Sequence, residues 1–152
     1  MRSKVVTVFG GSGFIGRYVV QRLAERGAVL RVPTRRPSEA LFLKPLGAIG
    51  QVNLEPWNAS APGEVDRLVA GADMVVNLIG ILFEAKGGDF DRLQARLPGQ
   101  IGVAAARAGA QRVVQLSAIG ADPTSPSAYG RSKAAGEAAV TGAYPYSMAS
   151  VS

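Results

Sequence analysis

The chain contains neither cysteine nor histidine in its 152 residues. The first absence excludes disulfides and thiolate metal sites, and the second excludes imidazole acid–base catalysis and histidine-ligated zinc. Charge is sparse as well: charged residues make up 18% of the chain, against 47% hydrophobic ones. That balance belongs to a folded globular chain of one domain's length, large enough to bury a sizeable core. No apolar run reaches the length that crosses a bilayer, so no transmembrane segment is expected. The start, Met1-Arg2-Ser3-Lys4, runs straight into an apolar strand pattern, and no signal peptide is expected before it.

The net charge of +6 raises the question of a nucleic-acid partner. The basic residues are scattered singly, as at Arg17, Arg22, Arg26, Arg92, Arg96 and Arg107, on positions expected to face water. No nucleic-acid partner is therefore expected. A peripheral contact with an anionic membrane surface or an acidic protein stays open.

Apolar, β-branched runs at Val5–Phe9, Ala28–Val32, Ile49–Leu54, Met74–Ile79 and Val113–Leu116 read as strands, with helical patterns between them. The clearest helix begins at Phe90 and repeats through Leu93, Leu97 and Ile101. Asp89 is its expected N-cap, Gly109 its expected C-cap, and Pro98 should kink it. A shorter helix is expected around Gly63–Val69, another ending at Gly47, and a last one over Ala128–Val140. Strands buried on both faces and separated by helices define an α/β fold, a doubly wound parallel sheet with right-handed crossovers.

The most informative stretch is Val8-Phe9-Gly10-Gly11-Ser12-Gly13-Phe14-Ile15-Gly16. Three glycines, Gly10, Gly13 and Gly16, follow a strand and open a helix whose face carries Ile15, Val19, Val20 and Leu23. The amides of Ser12, Gly13, Phe14, Ile15 and Gly16 then point at the space above the helix, whose dipole favours an anion there. The expected guest is the pyrophosphate of a dinucleotide; a tight turn that binds nothing is the alternative.

In a doubly wound sheet the end of the second strand meets the adenosine ribose, where an acid favours a 2′-hydroxyl and arginine a 2′-phosphate. Here the strand runs into Pro33-Thr34-Arg35-Arg36, and no acid appears until Glu39. Arg35 and Arg36 suit a phosphate monoester and favour NADP(H) over NAD(H), unless they are only solvated loop charges. Asn53 and Leu54 are read as ending the third strand near the adenine. Leu78, Ile79 and Gly80 are read as lining the cofactor after the fourth.

Tyr129 and Lys133 lie four apart on one face of the last helix, and Ser117 ends the fifth strand. An ammonium stabilises a phenolate, and a serine hydroxyl can hold a substrate carbonyl while the phenol moves a proton. Ser117, Tyr129 and Lys133 are thus the candidate catalytic residues, with Lys133 also a candidate cofactor contact.

The glycine spacing, Ser117, Tyr129 and Lys133 together resemble the short-chain dehydrogenase/reductase superfamily in its extended or atypical, epimerase/dehydratase-like branch. A closer resemblance is to the dinucleotide-binding accessory subunits of respiratory complex I and their bacterial relatives. It is carried by Thr7-Val8-Phe9-Gly10, Gly13 to Val20, Asn77-Leu78-Ile79-Gly80 and Lys133-Ala134-Ala135-Gly136-Glu137, and by Phe9 where many superfamily members carry Thr. The resemblance implies a Rossmann fold that holds NADP(H) mainly in a structural or assembly role. It also implies a respiratory complex partner, and a cytoplasmic or matrix-side position peripheral to the membrane. The alternatives are an oxidoreductase or epimerase using Ser117, Tyr129 and Lys133, and a regulator that senses NADP(H). Under the catalytic alternative, the substrate stays unknown. Under the structural one, Lys133 keeps only its contact to the nicotinamide ribose, Tyr129 covers the cofactor, and Ser117 caps the strand.

The resemblance also implies that most of a substrate domain is missing. Residues 1–142 are read as the dinucleotide-binding domain and 143–152 as the truncated start of a sixth strand, lacking the expected apolar pattern. An unpaired sheet edge and a partly uncovered apolar face are expected, which dimerisation would relieve.

Overall fold

The structure is a computed structural model that describes residues 3–80, 86–117, 121–143 and 148–151. Six parallel strands form one sheet in the order β3-β2-β1-β4-β5-β6. They are β1 (Val5–Phe9), β2 (Val29–Thr34), β3 (Val52–Pro56), β4 (Met74–Asn77), β5 (Arg112–Leu116) and β6 (Met148–Val151). The strand order reverses between β1 and β4, which makes the sheet doubly wound and opens a crevice at the carboxyl ends there.

Helix α1 (Phe14–Glu25) packs through Val20 and Ala24 on one face, against Val6, Val8, Leu30 and Val32. Helices α2 (Glu64–Val69), α3 (Leu97–Ala108) and α4 (Ala128–Ala143) belong to the other face. There Phe9, Leu68, Val75, Ile101, Val113 and Val140 close a second core. Phe9 is fully buried and meets the Trp57 ring edge-on at 5.2 Å. Strands β1, β2 and β4 are almost wholly buried because each is covered on both sides. Their sequences therefore read as continuous apolar runs rather than alternating ones.

Several boundaries differ from expectation. Strand β2 continues to Thr34 and β3 to Pro56, while β4 stops at Asn77. The physical cause at β4 is local: the Asn77 side chain accepts a hydrogen bond from the Ile79 N–H at 3.2 Å and turns the chain out of the sheet. The stretch ending at Gly47 forms two 3₁₀ segments, Pro37–Glu39 and Leu41–Leu46. Asp89 stands at the N-cap position before Phe90 as expected, but its side chain makes no capping bond; its carboxylate takes the Lys86 N–H at 2.9 Å and the Arg92 guanidinium at 2.6 Å. Pro98 produces a change of helix type rather than a simple kink. Phe90–Arg96 is π-helical and α3 begins at Leu97 with Pro98 in its first turn. Gly109 ends α3 with φ +72°, as expected of a left-handed cap.

The sixth strand is present despite its weak apolar pattern. Met148–Val151 pairs in parallel with Val113–Leu116, so the edge expected on β5 is covered.

Candidate functional site

The glycine turn sits at the carboxyl end of β1, at the crevice. Gly10 has φ +78°, and a Cβ there would stand 2.9 Å from the Leu78 carbonyl carbon, so this backbone lies directly on the chain leaving β4. A Cβ on Gly16 would collide with the Gly10 carbonyl oxygen and stand 2.6 Å from Gly11 Cα. Gly10 and Gly16 are therefore required by the fold itself. Gly11, which the spacing did not single out, is required too: a Cβ would meet Val32 Cγ1 at 2.8 Å.

Gly13 differs. Its φ is −75° and ψ −179°, a conformation open to any residue, and a Cβ would find only the Gly10 oxygen at 3.4 Å. The fold makes little demand for glycine at this exposed position, and its lack of a side chain leaves the backbone open to a group approaching from outside. The Arg17 N–H bonds the Gly13 carbonyl at 3.1 Å, closing the first turn of α1. That leaves the first-turn amides of Phe14, Ile15 and Gly16 without intrahelical partners, directed outward. This cradle fits a pyrophosphate.

Strand β2 delivers Arg35 and Arg36 to its carboxyl end, both exposed. Arg36 is paired with Glu39 at 3.2 Å, so the first acid after the strand is already engaged. The expectation for Asn53 and Leu54 needs correction. Because β3 runs on to Pro56, Asn53 is its second residue, and its amide donates to the Leu30 and Gly50 carbonyls at 3.2 and 3.1 Å. Leu54 packs against the core under α1. The carboxyl end of β3 is occupied by Glu55 and Pro56 instead.

The ends of β4 and β5 and the start of α4 are joined by buried polar contacts. Asn77 donates to the Gln115 side-chain oxygen at 2.8 Å, and Gln115 donates to the Leu116 carbonyl at 2.9 Å. That carbonyl also accepts from Lys133 Nζ at 3.1 Å. Lys133 is only 4% exposed, and burial lowers its ammonium pKa from the usual 10.5 despite the opposing charge of Glu137. Its Nζ lies 3.7 Å from where a Gly80 Cβ would be, so the cation stands between Gly80 and the strand end that carries Ser117.

Ser117 Oγ is buried with no hydrogen-bond partner among the described residues. Such a group ordinarily finds one, and a ligand hydroxyl or carbonyl would supply it. Tyr129 is half-buried, its ring edge-on to Phe90 at 6.0 Å. One turn on, Ser132 donates to the Tyr129 carbonyl at 2.8 Å and accepts from the Gln94 amide at 2.8 Å. The structure thus brings Lys133 to Gly80 and to the end of β5, with Tyr129 on the preceding turn.

Gln94, Gln115, Ser132 and Gly136 were not singled out from the sequence. Gln115 sits in an apolar strand, and a polar residue there was the available signal. Gly136 lies inside a helix, where glycine costs about 1 kcal/mol against alanine. The close approach of the Gln94 carbonyl explains it. Pro98 cannot donate to that carbonyl, and the oxygen faces α4 instead.

A crevice at the strand-order reversal, a glycine cradle at a helix start and a buried lysine beside it define a Rossmann-type dinucleotide-binding protein. A family model described as NAD(P)H-binding matches residues 10–147. The chain belongs to that NAD(P)H-binding family, and its cofactor is a nicotinamide dinucleotide.

Among curated proteins it is 37% identical to "NADH dehydrogenase (ubiquinone) 1 alpha subcomplex subunit 9, mitochondrial" of Arabidopsis thaliana, covering 93% of this chain and 36% of that protein. It is 33% identical to "Ceramide reductase" of Caulobacter vibrioides, covering 95% of this chain and 44% of that protein. Among solved structures, a putative NAD-dependent epimerase/dehydratase from Bacillus halodurans superposes with a TM-score of 0.79 at 20% identity, over 96% of this chain and 69% of that one. The last likeness shows the fold. The chain spans less than half the length of these two curated relatives. Among the described residues, no helix is long and apolar enough to cross a membrane.

Proposed function

We propose that this chain binds NADP(H) in preference to NAD(H) and holds it mainly in a structural or assembly role, as part of a respiratory NADH dehydrogenase or a related complex. The observation that carries the preference is the exit of β2 into exposed Arg35 and Arg36, with Glu39 held by Arg36. Two guanidinium groups at the ribose end recognise a 2′-phosphate, whereas a 2′-hydroxyl would call for a free carboxylate. The likeness to a dehydrogenase subunit supports the structural role and a position on the matrix or bacterial cytoplasmic side of a membrane.

Calorimetric titration with NADPH and NADH tests this reading. Arg35→Ala and Arg36→Ala are each expected to weaken NADPH binding by about tenfold or more, the effect of losing one charge-assisted contact. NADH binding should stay within about twofold in the same variants. Tighter NADH than NADPH binding in the unmodified chain would refute the preference, and binding of neither would refute the reading altogether.

The second reading is an oxidoreductase or epimerase/dehydratase, favoured by the unpartnered Ser117 hydroxyl beside the desolvated Lys133. A bound nicotinamide dinucleotide supplies hydride transfer. Ser117 would orient a carbonyl, Tyr129 would give or take the proton, and Lys133 would stabilise the phenolate and hold the nicotinamide ribose. Turnover found in a carbonyl-substrate screen should fall by at least about 100-fold in Tyr129→Phe, within the usual contribution of acid–base catalysis. Unchanged turnover in that variant would remove Tyr129 from the chemistry.

A further inference from the structure

Helix α1 and the 3₁₀ segment Leu41–Leu46 carry exposed large apolar side chains. Phe14 is 75% exposed, Tyr18 55%, Leu41 58% and Phe42 43%. Phe14 and Tyr18 stand one turn apart on α1 with their rings edge to face at 5.8 Å. The Arg17 guanidinium lies over the Phe42 ring, 5.1 Å from its centre. That contact joins α1 to the 3₁₀ segment Leu41–Leu46, making one continuous patch of rings with a cation set among them. None of these side chains lines either of two cavities of about 610 Å³ among the described residues.

Cations outnumber carboxylates on the elements that carry the patch. Arg17 and Lys44 are exposed on the two elements that carry it, Lys44 one 3₁₀ turn after Leu41, and Arg35 is exposed at the exit of β2. The neighbouring carboxylates are engaged, Glu25 by Arg22 at 3.6 Å and Glu39 by Arg36 at 3.2 Å. The chain as a whole carries +6.

We propose that Phe14, Tyr18, Leu41 and Phe42, together with Arg17 and Lys44, form a face that docks on an anionic lipid surface. Contiguous exposed apolar groups mark an interaction site. Here they stand exposed on a helix and a 3₁₀ segment. Projecting aromatic rings enter the headgroup layer without a shaped counterpart, and cations around them pair with anionic headgroups. Phe14 belongs to the glycine turn as well, so the docking face and the dinucleotide cradle share an edge.

The test is sedimentation of the purified chain with phosphatidylcholine vesicles, with and without one quarter phosphatidylglycerol. Binding is expected to the anionic vesicles alone and to weaken as salt is raised. Lys44→Glu should lower the partition coefficient by roughly tenfold. The double variant Leu41→Ser, Phe42→Ser should lower it at least as much, with thermal melting and NADPH titration confirming that each variant is folded. Equal binding to neutral vesicles, or insensitivity to both variants, overturns the proposal. So does absence of vesicle binding in a folded chain, and that outcome would assign the patch to an acidic protein partner. Because the vesicle assay needs no cofactor, its failure is distinct from failure of the NADP(H) reading.

Discussion

Gly16→Ala is expected to lose both stability and dinucleotide binding, whereas Gly13→Ala should lose binding alone. In an ordinary helix, alanine in place of glycine stabilises by about 1 kcal/mol. At Gly16 the added methyl would meet the Gly10 carbonyl and the Gly11 backbone, which cannot yield as a flexible side chain can. Overpacking against such neighbours costs about 3 kcal/mol, so the gain in propensity is overwhelmed. For a chain of this size that corresponds to a fall in thermal midpoint of roughly 5–12 °C. Any relief requires the first turn of α1 to move away from β1, which also displaces the amides of Phe14 and Ile15. At Gly13 the backbone is already in a conformation alanine adopts, and the methyl finds an ordinary contact at 3.4 Å. It would occupy the space a pyrophosphate approaches. Melting curves with NADPH titrations of the two variants check the pair. A Gly13→Ala protein that melts normally and still binds NADPH tightly would show that the cradle is not used.

What could be read in the sequence depends on how local the cause was. Strand β1 and the turn after it were legible because a β-branched, largely apolar run and the glycine spacing are both local signals. Gly109 was legible for the same reason. Strand β3 was misplaced because it lies at the edge of the sheet, where one side is unpaired and the apolar pattern is dilute. Ile49, taken as strand, is fully exposed in the turn before it. Strand β6 was read only as a truncated start of a strand because Met-Ala-Ser-Val carries little apolar signal; its place is set by the ladder with β5, a non-local cause.

The same distinction runs through the site. Tyr129, Lys133 and Ser117 were found from spacing on a helix and position on a strand. The contacts that set Lys133 were not, because the Asn77–Gln115 pair joins residues 38 apart in sequence. The interlock of Gly136 with the Gln94 carbonyl depends on a π-helical segment that no periodicity announces.

Lys133→Met is expected to separate the demands of function from those of folding. The Lys133 amine is almost wholly buried, and lost hydration disfavours its charged form. Methionine fills similar space without that cost, and the Leu116 carbonyl keeps its bond from Gln115. The variant should therefore melt no lower than the original chain at pH 7.5, while NADPH affinity falls by about 10- to 100-fold through loss of a charged hydrogen bond. The pH dependence supplies an independent readout. Burial sets the folded-state pKa of Lys133 below the usual 10.5. Between those two values the unfolded chain retains a proton that the folded chain has released, so the Lys133 contribution makes stability rise with pH across that window. Below the window both states are protonated and the burial penalty is fully present. Urea midpoints measured from pH 7 to 11 should show the difference between the original chain and Lys133→Met shrinking as pH rises. A variant that is markedly less stable at pH 7.5 yet binds NADPH normally would make Lys133 a packing residue and remove it from the cofactor site.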